Sequence, residues 1–400
     1  MATILPDQKT EFRGFGPSIL VQQMRGRTRA IKLPHDRVTA RKMLREKCPL
    51  VPGVYGWLDH NRQLVYVGKS KSLRMRLLSY FAKNPSEAKM ERIRQHSDLI
   101  VWEPISHELL ALIREQELIH RWRPEFNSMG QPTRMQPAFV CVGGAPAPNA
   151  RLARRISGNL QHAYGPISGT KRLRFAIESL NQVFQLRDCP DKTKFEFKSQ
   201  MFLFEDPANA KCIRFELGSC PAPCAGFCSS KQYKQNVNAA INFLDGKSPE
   251  TLIQIEKKML QFAAKQAYES AAILRDSLKQ LTWLDRRLKG LRMADKKLNG
   301  LLPIVARKNR PGWLALKGGK ISQSFSISTH PGHAEKLASQ IADIAPGTSS
   351  LPSNLLEMSL QLIVISWLKK HPELKKKIIP FQVAIDSLSA TGELKHQKCA

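Results

Sequence analysis

The chain has 400 residues, 42% of them apolar and 24% charged, which suits a protein of two to four domains with buried cores. Its 63 Lys and Arg stand against 33 Asp and Glu, a formal net charge of +30 that favours a polyanion and makes nucleic acid the default partner. An anionic membrane is the weaker candidate. The basic residues are spread through folded-looking segments, and the most apolar run, 355–368, contains Glu357, Ser359 and Gln361 and is too short to span a bilayer.

Met1 to Pro6 has neither the basic start nor the apolar core of a secretory signal, so a cytoplasmic location is expected. Five of the eight cysteines fall within residues 189–228, and in such a chain they point to metal or cluster binding over disulfides. Residues 1–47 carry eleven Lys or Arg and four Asp or Glu. The expectation is a loosely ordered basic arm, either touching phosphates or simply solvated.

From Val51 the pattern changes. Residues 54–58 and 64–67 read as two strands around the turn-like 59–62, a β-hairpin that Gly68 should end. Ser70 or Ser72 is placed to cap a helix running to about Lys83, stopped by Pro85. Residues 99–102 read as a third strand. A helix over His107 to Trp122 follows, with Ser106 as its cap and Pro124 at its end. Arg76 and Tyr80 are four apart and project from one helix face. Glu115 has Ala111, Leu112, Leu118 and Ile119 as its helical neighbours and leans toward the apolar stripe, whereas Glu117, with Ile113, Arg114, His120 and Arg121 around it, is assigned mainly to the solvated face. A carboxylate on a core-facing stripe is costly unless it is paired or binds a metal.

Gly53-Val54-Tyr55, Tyr66-Val67-Gly68, Lys69, Arg76, Tyr80, Glu115 and Asn127 resemble, in order, the GIY-YIG nuclease domain, and the run VYVGKSKSLRMRLLSYF resembles the form found in the nucleotide-excision-repair nuclease family UvrC. The resemblance implies an α/β (α+β) fold, a small three-stranded sheet with helices. It also implies metal-dependent phosphodiester hydrolysis. Glu115 would be the single-metal ligand, for Mg²⁺ or Mn²⁺. Tyr55 would act on the attacking water, with Lys69 or Tyr66 lowering the cost of a phenolate. Arg76 and Tyr80 would hold the scissile phosphate, and Asn127 would support the site from behind.

Further along, residues 139–142 are strand-like. Arg151, Arg154, Arg155, Lys171, Arg172 and Arg174 flank Tyr164-Gly165-Pro166, and they read as a basic track along a duplex backbone or as ordinary surface charge. The cysteines follow as Cys189-x22-Cys212-x7-Cys220-x3-Cys224-x3-Cys228, not the paired spacing of a zinc ribbon. The same family resemblance implies a [4Fe–4S] cluster on Cys189, Cys212, Cys220 and Cys224, with zinc or no metal as the alternatives; Cys228 and the segment 192–210 depart from the family pattern. Residues 251–288 show the period of a helical hairpin with an alanine-lined seam. It resembles the UVR motif, which implies docking on UvrB; by pattern alone it is an intramolecular core hairpin.

Residues 300–400 predict a short β-meander with turns at 309–312 and 318–319, helices at 333–344 and 355–368, the second capped by Ser353 or Asn354, and a lysine-rich tail from Lys369. Only six acidic residues follow residue 300, with no carboxylate cluster like that of the family's second, ribonuclease-H-like nuclease, so no second active site is expected. The expected division is 1–47 basic extension, 48–132 nuclease, 133–248 cysteine and DNA-binding region, 249–289 hairpin and 290–400 C-terminal region. The expected function is incision of one strand on the 3′ side of a lesion in double-stranded DNA, recruited by UvrB and indirectly by UvrA. A Cho-type auxiliary nuclease and a non-catalytic DNA or UvrB adaptor are the alternatives.

Overall fold

The structure is a computed structural model, and it describes residues 11–21, 25–34, 36–82, 88–127, 136–156, 162–190, 193, 195, 197, 212–305, 311–326, 333–345, 351–391 and 394. The expected helix end at Lys83 and Pro85, most of the 192–210 segment and Asn309 lie outside the described residues. Two compact units form: residues 1–135 with 294–400, and residues 136–293.

In the first unit, β1 (Arg29–Lys32) and α1 (Arg37–Lys47) come first. Then follow β2 (Gly53–Leu58), β3 (Leu64–Ser70), α2 (Leu73–Ser79), α3 (Ala88–Gln95), β4 (Leu99–Pro104) and α4 (Glu108–Trp122). The sheet has four strands in the order β1-β4-β2-β3, one more than the sequence suggested. The extra strand comes from the basic extension, where Ile31 pairs opposite Ile100. The expected loose arm is therefore, over its described part, built into the sheet and core, with Phe15 and Leu20 buried. All six residues of β2 are buried because both faces are covered. Val54 and Leu58 face one apolar cluster with α4; Tyr55 and Trp57 face another with α1, α2 and α3. The aromatics of β2 thus alternate with its other residues because the two faces serve different cores.

Gly68 does not end the second strand, which continues to Ser70. A Cβ at Gly68 would sit 2.6 Å from the Tyr55 phenol carbon across the sheet, so the glycine makes room for the tyrosine ring. Helix α2 is shorter than expected and ends at Ser79. Ser72 precedes it without a capping bond, because Ser70 Oγ and the Ser72 backbone hydrogen-bond each other instead. Helix α4 is capped by His107, whose Nδ1 accepts from Leu109 N at 3.1 Å, and not by Ser106. Glu117 is also displaced from its expected solvated face. It is only 4% exposed, and it accepts from Ser18 Oγ at 2.7 Å, Ile19 N at 2.8 Å and Arg114 Nη1 at 2.9 Å. The fully buried Arg114 also donates from Nε to Glu103 Oε1 at 3.2 Å and from Nη2 to Gly16 O at 2.7 Å. The segment around residues 16–19 is what covers this side of α4.

The second unit holds β5 (Ala138–Gly143), β6 (Asn149–Ala153), β7 (His162–Ile167), α5 (Thr170–Val183), α6 (Ile213–Glu216), α7 (Ser230–Asp245), α8 (Glu250–Ala264) and most of α9 (Tyr268–Lys297). Its antiparallel sheet runs β6-β5-β7. The Tyr164-Gly165-Pro166 element lies within β7, and Tyr164 Oη donates to Asp245 Oδ1 at 2.9 Å. Helices α8 and α9 form the expected hairpin, although α9 runs past residue 288. Its base is buried through Leu281, Leu284 and Leu288, while Ile253, Leu260, Tyr268 and Ile273 are exposed. No helix among the described residues is long and apolar enough to cross a membrane.

The chain then returns to the first unit with β8 (Gly300–Val305), β9 (Pro311–Lys317) and β10 (Lys320–Ser326), the expected meander. Helices α10 (His333–Ile344), α11 (Leu355–Lys370), α12 (Pro372–Lys375) and α13 (Phe381–Thr391) follow. Asn354 Oδ1 caps α11 by accepting from Glu357 N at 2.9 Å. Leu360, Val364 and Leu368 of α11 share one apolar cluster with Leu110, Ile113 and Leu118 of α4. Ser324 Oγ of β10 donates to Ile19 O at 2.6 Å and accepts from Val21 N at 2.9 Å. Residues 16–21 and the elements β10 and α11 therefore meet around α4.

Replacing Arg114 with Met would leave Glu103 and Glu117 buried without their shared cation. The expected loss of stability is about 3–5 kcal/mol in equilibrium urea unfolding. A loss below 1 kcal/mol would show that the two carboxylates are neutralised some other way.

Candidate active site

The sheet order leaves β3 as an edge strand, with alternate backbone groups facing away from β2. Three residues after or on α4 serve that edge. Phe126 N donates to Val65 O at 2.9 Å. The buried Asn127 takes the place of a neighbouring strand at Val67, accepting from its N–H at 2.8 Å and donating to its C=O at 2.7 Å. One pair further along, Lys69 N donates to Glu115 Oε1 at 3.0 Å. The site is organised around this last bond.

Glu115 is half-buried on α4 and has no cationic side chain bonded to it among the described residues. Burial pushes its carboxyl up to about 7, and the Lys69 N–H and charge offset only part of that rise. The Lys69 ammonium is turned aside. It pairs with Glu108 Oε1 at 2.8 Å, and Lys71 pairs with Glu108 Oε2 at 3.0 Å. Glu108 opens α4 and was not singled out by sequence; its signal was an acidic first-turn residue 39 positions from its lysine.

On the other face of the sheet, Tyr55 and Tyr80 are almost fully buried and share a hydrogen bond at 3.0 Å between their hydroxyls. Arg76 Nε donates to the Tyr55 hydroxyl at 3.1 Å, and its guanidinium stands 5.4 Å from the Tyr80 ring. The helical spacing of Arg76 and Tyr80 thus does place them together. The Arg76 Nη atoms have no partner among the described residues, which leaves a planar donor fork open. The Tyr66 ring lies 6.1 Å from that of Tyr55, with Lys89 Nζ 5.2 Å above it. Burial raises the Tyr55, Tyr66 and Tyr80 phenols above the ordinary tyrosine range. For Tyr55, Tyr66 adds to the rise and Arg76 opposes it; for Tyr66, the Glu115 charge adds to it. The expected help to a Tyr55 phenolate from Lys69 or Tyr66 is therefore corrected. The Lys69 ammonium is engaged elsewhere, Tyr66 disfavours the charge, and the cation at the Tyr55 oxygen is Arg76.

The structure thus gathers Tyr55, Tyr66, Arg76 and Tyr80 into one cluster, sets Glu115 on the Lys69 backbone, and uses Asn127 to hold β3. A desolvated carboxylate with one backbone donor and no cationic side chain fits a hard cation. Chemically, the set offers a cation site, a guanidinium fork for a phosphoryl group and a hydroxyl held between two polar partners.

In the second unit, burial raises the Cys220 thiol to about 11, and the neighbouring Cys189, Cys224 and Cys212 add to the rise. Cys228 belongs to the apolar cluster with Tyr233 and Val237. Among the described residues, no three His, Cys, Asp or Glu are drawn into metal-binding geometry.

Three family models match the chain: a UvrC-like GIY-YIG domain over residues 51–128, the middle domain of the UvrC/Cho excinuclease over 139–243, and the UvrB/uvrC motif over 250–281. Among curated relatives, the UvrABC system protein C of Methanosarcina acetivorans is 29% identical over 264 residues, covering 66% of this chain and 48% of the relative. That of Legionella pneumophila strain Lens is 29% identical over 290 residues, 70% and 44% respectively. That of Syntrophomonas wolfei is 32% identical over 255 residues, 62% and 40%. The chain spans less than half the length of these relatives. A crystal structure of the GIY-YIG N-terminal endonuclease domain of UvrC from Thermotoga maritima, bound to magnesium as its catalytic divalent cation, is 33% identical. It covers 24% of this chain and 99% of that one, with a TM-score of 0.21.

Proposed function

The chain belongs to the UvrC family, and on that premise we propose that it is a structure-directed DNA endonuclease of nucleotide excision repair, incising one strand on the 3′ side of a lesion. The observation that carries this reading is the Arg76–Tyr55 hydrogen bond on one side of β3 together with a Glu115 carboxylate held by the Lys69 backbone and bonded to no cationic side chain among the described residues. Glu115 would hold a divalent cation, Mg²⁺ or Mn²⁺, which would supply neutralisation of the charge that develops on the reacting phosphate. The open nitrogens of Arg76 hold the phosphoryl group through a bidentate fork. Tyr55 orients the attacking water through a hydroxyl fixed by Arg76 Nε and Tyr80. To take the water's proton Tyr55 must first lose its own to solvent, a loss that burial opposes and Arg76 aids, so the arginine serves the nucleophile as well as the phosphate. Lys69 acts through its backbone N–H, which aims Glu115.

Recruitment by UvrB, and indirectly by UvrA, is supported by the hairpin's exposed Ile253, Leu260, Tyr268 and Ile273. Incubation with UvrA, UvrB, Mg²⁺ and a duplex bearing one bulky adduct should give a 3′-side nick. Arg76→Ala should lower its rate by about 10²–10³-fold, the cost of one preorganised charge-stabilising group. Tight binding with no nick from the unmodified protein contradicts the nuclease and favours the adaptor. A nick that needs no UvrB favours the Cho-type enzyme.

We also propose that Cys189, Cys212, Cys220 and Cys224 hold a [4Fe–4S] cluster with a structural role. The reading is supported by the spacing of these four cysteines in the sequence and by the placement of Cys228 in the apolar cluster. Anaerobic purification should give about four iron and four sulfide per chain. A colourless protein carrying zinc, or no metal, would sink the cluster.

A further inference from the structure

The C-terminal part of the first unit has so far only a supporting role, yet it ends beside the active site. Trp367 near the end of α11 stands 6.0 Å from the ring of His107, the cap of α4, and stacks on His371 at 4.1 Å. The turn that follows α11 therefore lies next to the start of α4, where Glu108 ties Lys69 and Lys71. Residues 369–377 hold five lysines and one glutamate. That glutamate, Glu373, pairs with His371. Lys369, Lys370, Lys375 and Lys376 have no acidic partner among the described residues. The turn is not a loose tail. Leu374 and Ile378 pack on the apolar cluster shared with α4, and Leu301 and Ile379 exchange backbone hydrogen bonds at 2.8 and 2.9 Å. Like charges held on an anchored turn repel one another, and a polyanion relieves that repulsion with little ordering cost.

We propose that the turn carrying Lys369, Lys370, Lys375 and Lys376 is a contact for the phosphate backbone of double-stranded DNA, continuous through Lys71 with the β3 end of the active site. This rests on the reading of the unit as a DNA nuclease. Lysines offer point charges without a base-reading fork, so the contact holds any sequence. A single strand would want an aromatic platform, and Trp367, the ring beside this turn, is already stacked on His371. The contact would give the nuclease unit a hold on duplex flanking the scissile phosphate, independent of the basic residues of the second unit.

The test is fluorescence anisotropy of the full chain on two undamaged duplexes of unrelated sequence, over a salt series. Replacing all four lysines with Ala should weaken binding equally for both. The slope of log affinity against log salt should fall by about 3–4, one released counterion per lost phosphate contact. Replacing them with Arg should restore both quantities. Glutamine replaces Ala if the alanine variant fails to unfold at the wild-type temperature. Unchanged affinity and slope in a folded variant overturn the proposal. So does lysine-dependent binding to phosphatidylserine vesicles with none to DNA. A chain whose duplex binding depends on these lysines but that never nicks refutes the nuclease reading and leaves this contact standing. One that nicks normally while the substituted form binds with wild-type affinity refutes the contact alone.

Discussion

The outer edge of β3 is the constraint on which the site depends. An edge strand leaves backbone donors and acceptors that must be bonded when they are buried. Here no fifth strand is present beside it among the described residues; Phe126, Asn127 and Glu115 serve Val65, Val67 and Lys69 in turn. The alternation of two residues along a strand is thus matched by the end of α4 and the segment after it. Glu115 gains a fixed position from this arrangement and loses solvent. One backbone bond does not repay the burial of a charge, so its proton is held up to about 7. The electrostatic need that remains is the need for a cation.

That arrangement requires α4 to stay still, and segments from early and late in the chain contribute. The segment at residues 16–19 closes over Arg114 and Glu117, and α11 packs its leucines on the opposite part of the same helix. Residues far apart in sequence thus set the height and rotation of Glu115. On the other side of the sheet, Tyr55, Arg76 and Tyr80 are tied into one network with Trp57 packed 4.7 Å from the Tyr80 ring. Rigid packing of both layers is what fixes the tyrosine–arginine network on one side of the sheet and the carboxylate at the β3 edge.

Much of this was legible where a pattern is local. The hairpin, the helical spacing of Arg76 and Tyr80, the C-terminal meander and the Asn354 cap all depend on residues within a few positions of one another. Glu115 was also legible, because three of its four helical neighbours are strongly apolar. Glu117 was not. Its helical neighbours are mostly polar, and the groups that bury it come from residues 98 and 99 positions away. The same distance hid β1, whose partner strand lies about seventy residues on and whose own burial is confined to Ile31. Helix α3 escaped because only Met90 and Ile93 mark its buried face. The pairing of Lys69 with Glu108 escaped because an exposed lysine and a helix-start glutamate each have an ordinary local explanation.

Glu115 is a half-buried carboxylate placed to hold a divalent cation. Calorimetric titration of the metal-free protein with Mn²⁺ at pH 6 and pH 8 tests it most directly. A proton leaving at about 7 must compete with the metal, so affinity should rise about tenfold between the two pH values and be lost in Glu115→Gln. Equal affinity at both pH values, or binding that survives in Glu115→Gln, would contradict the account.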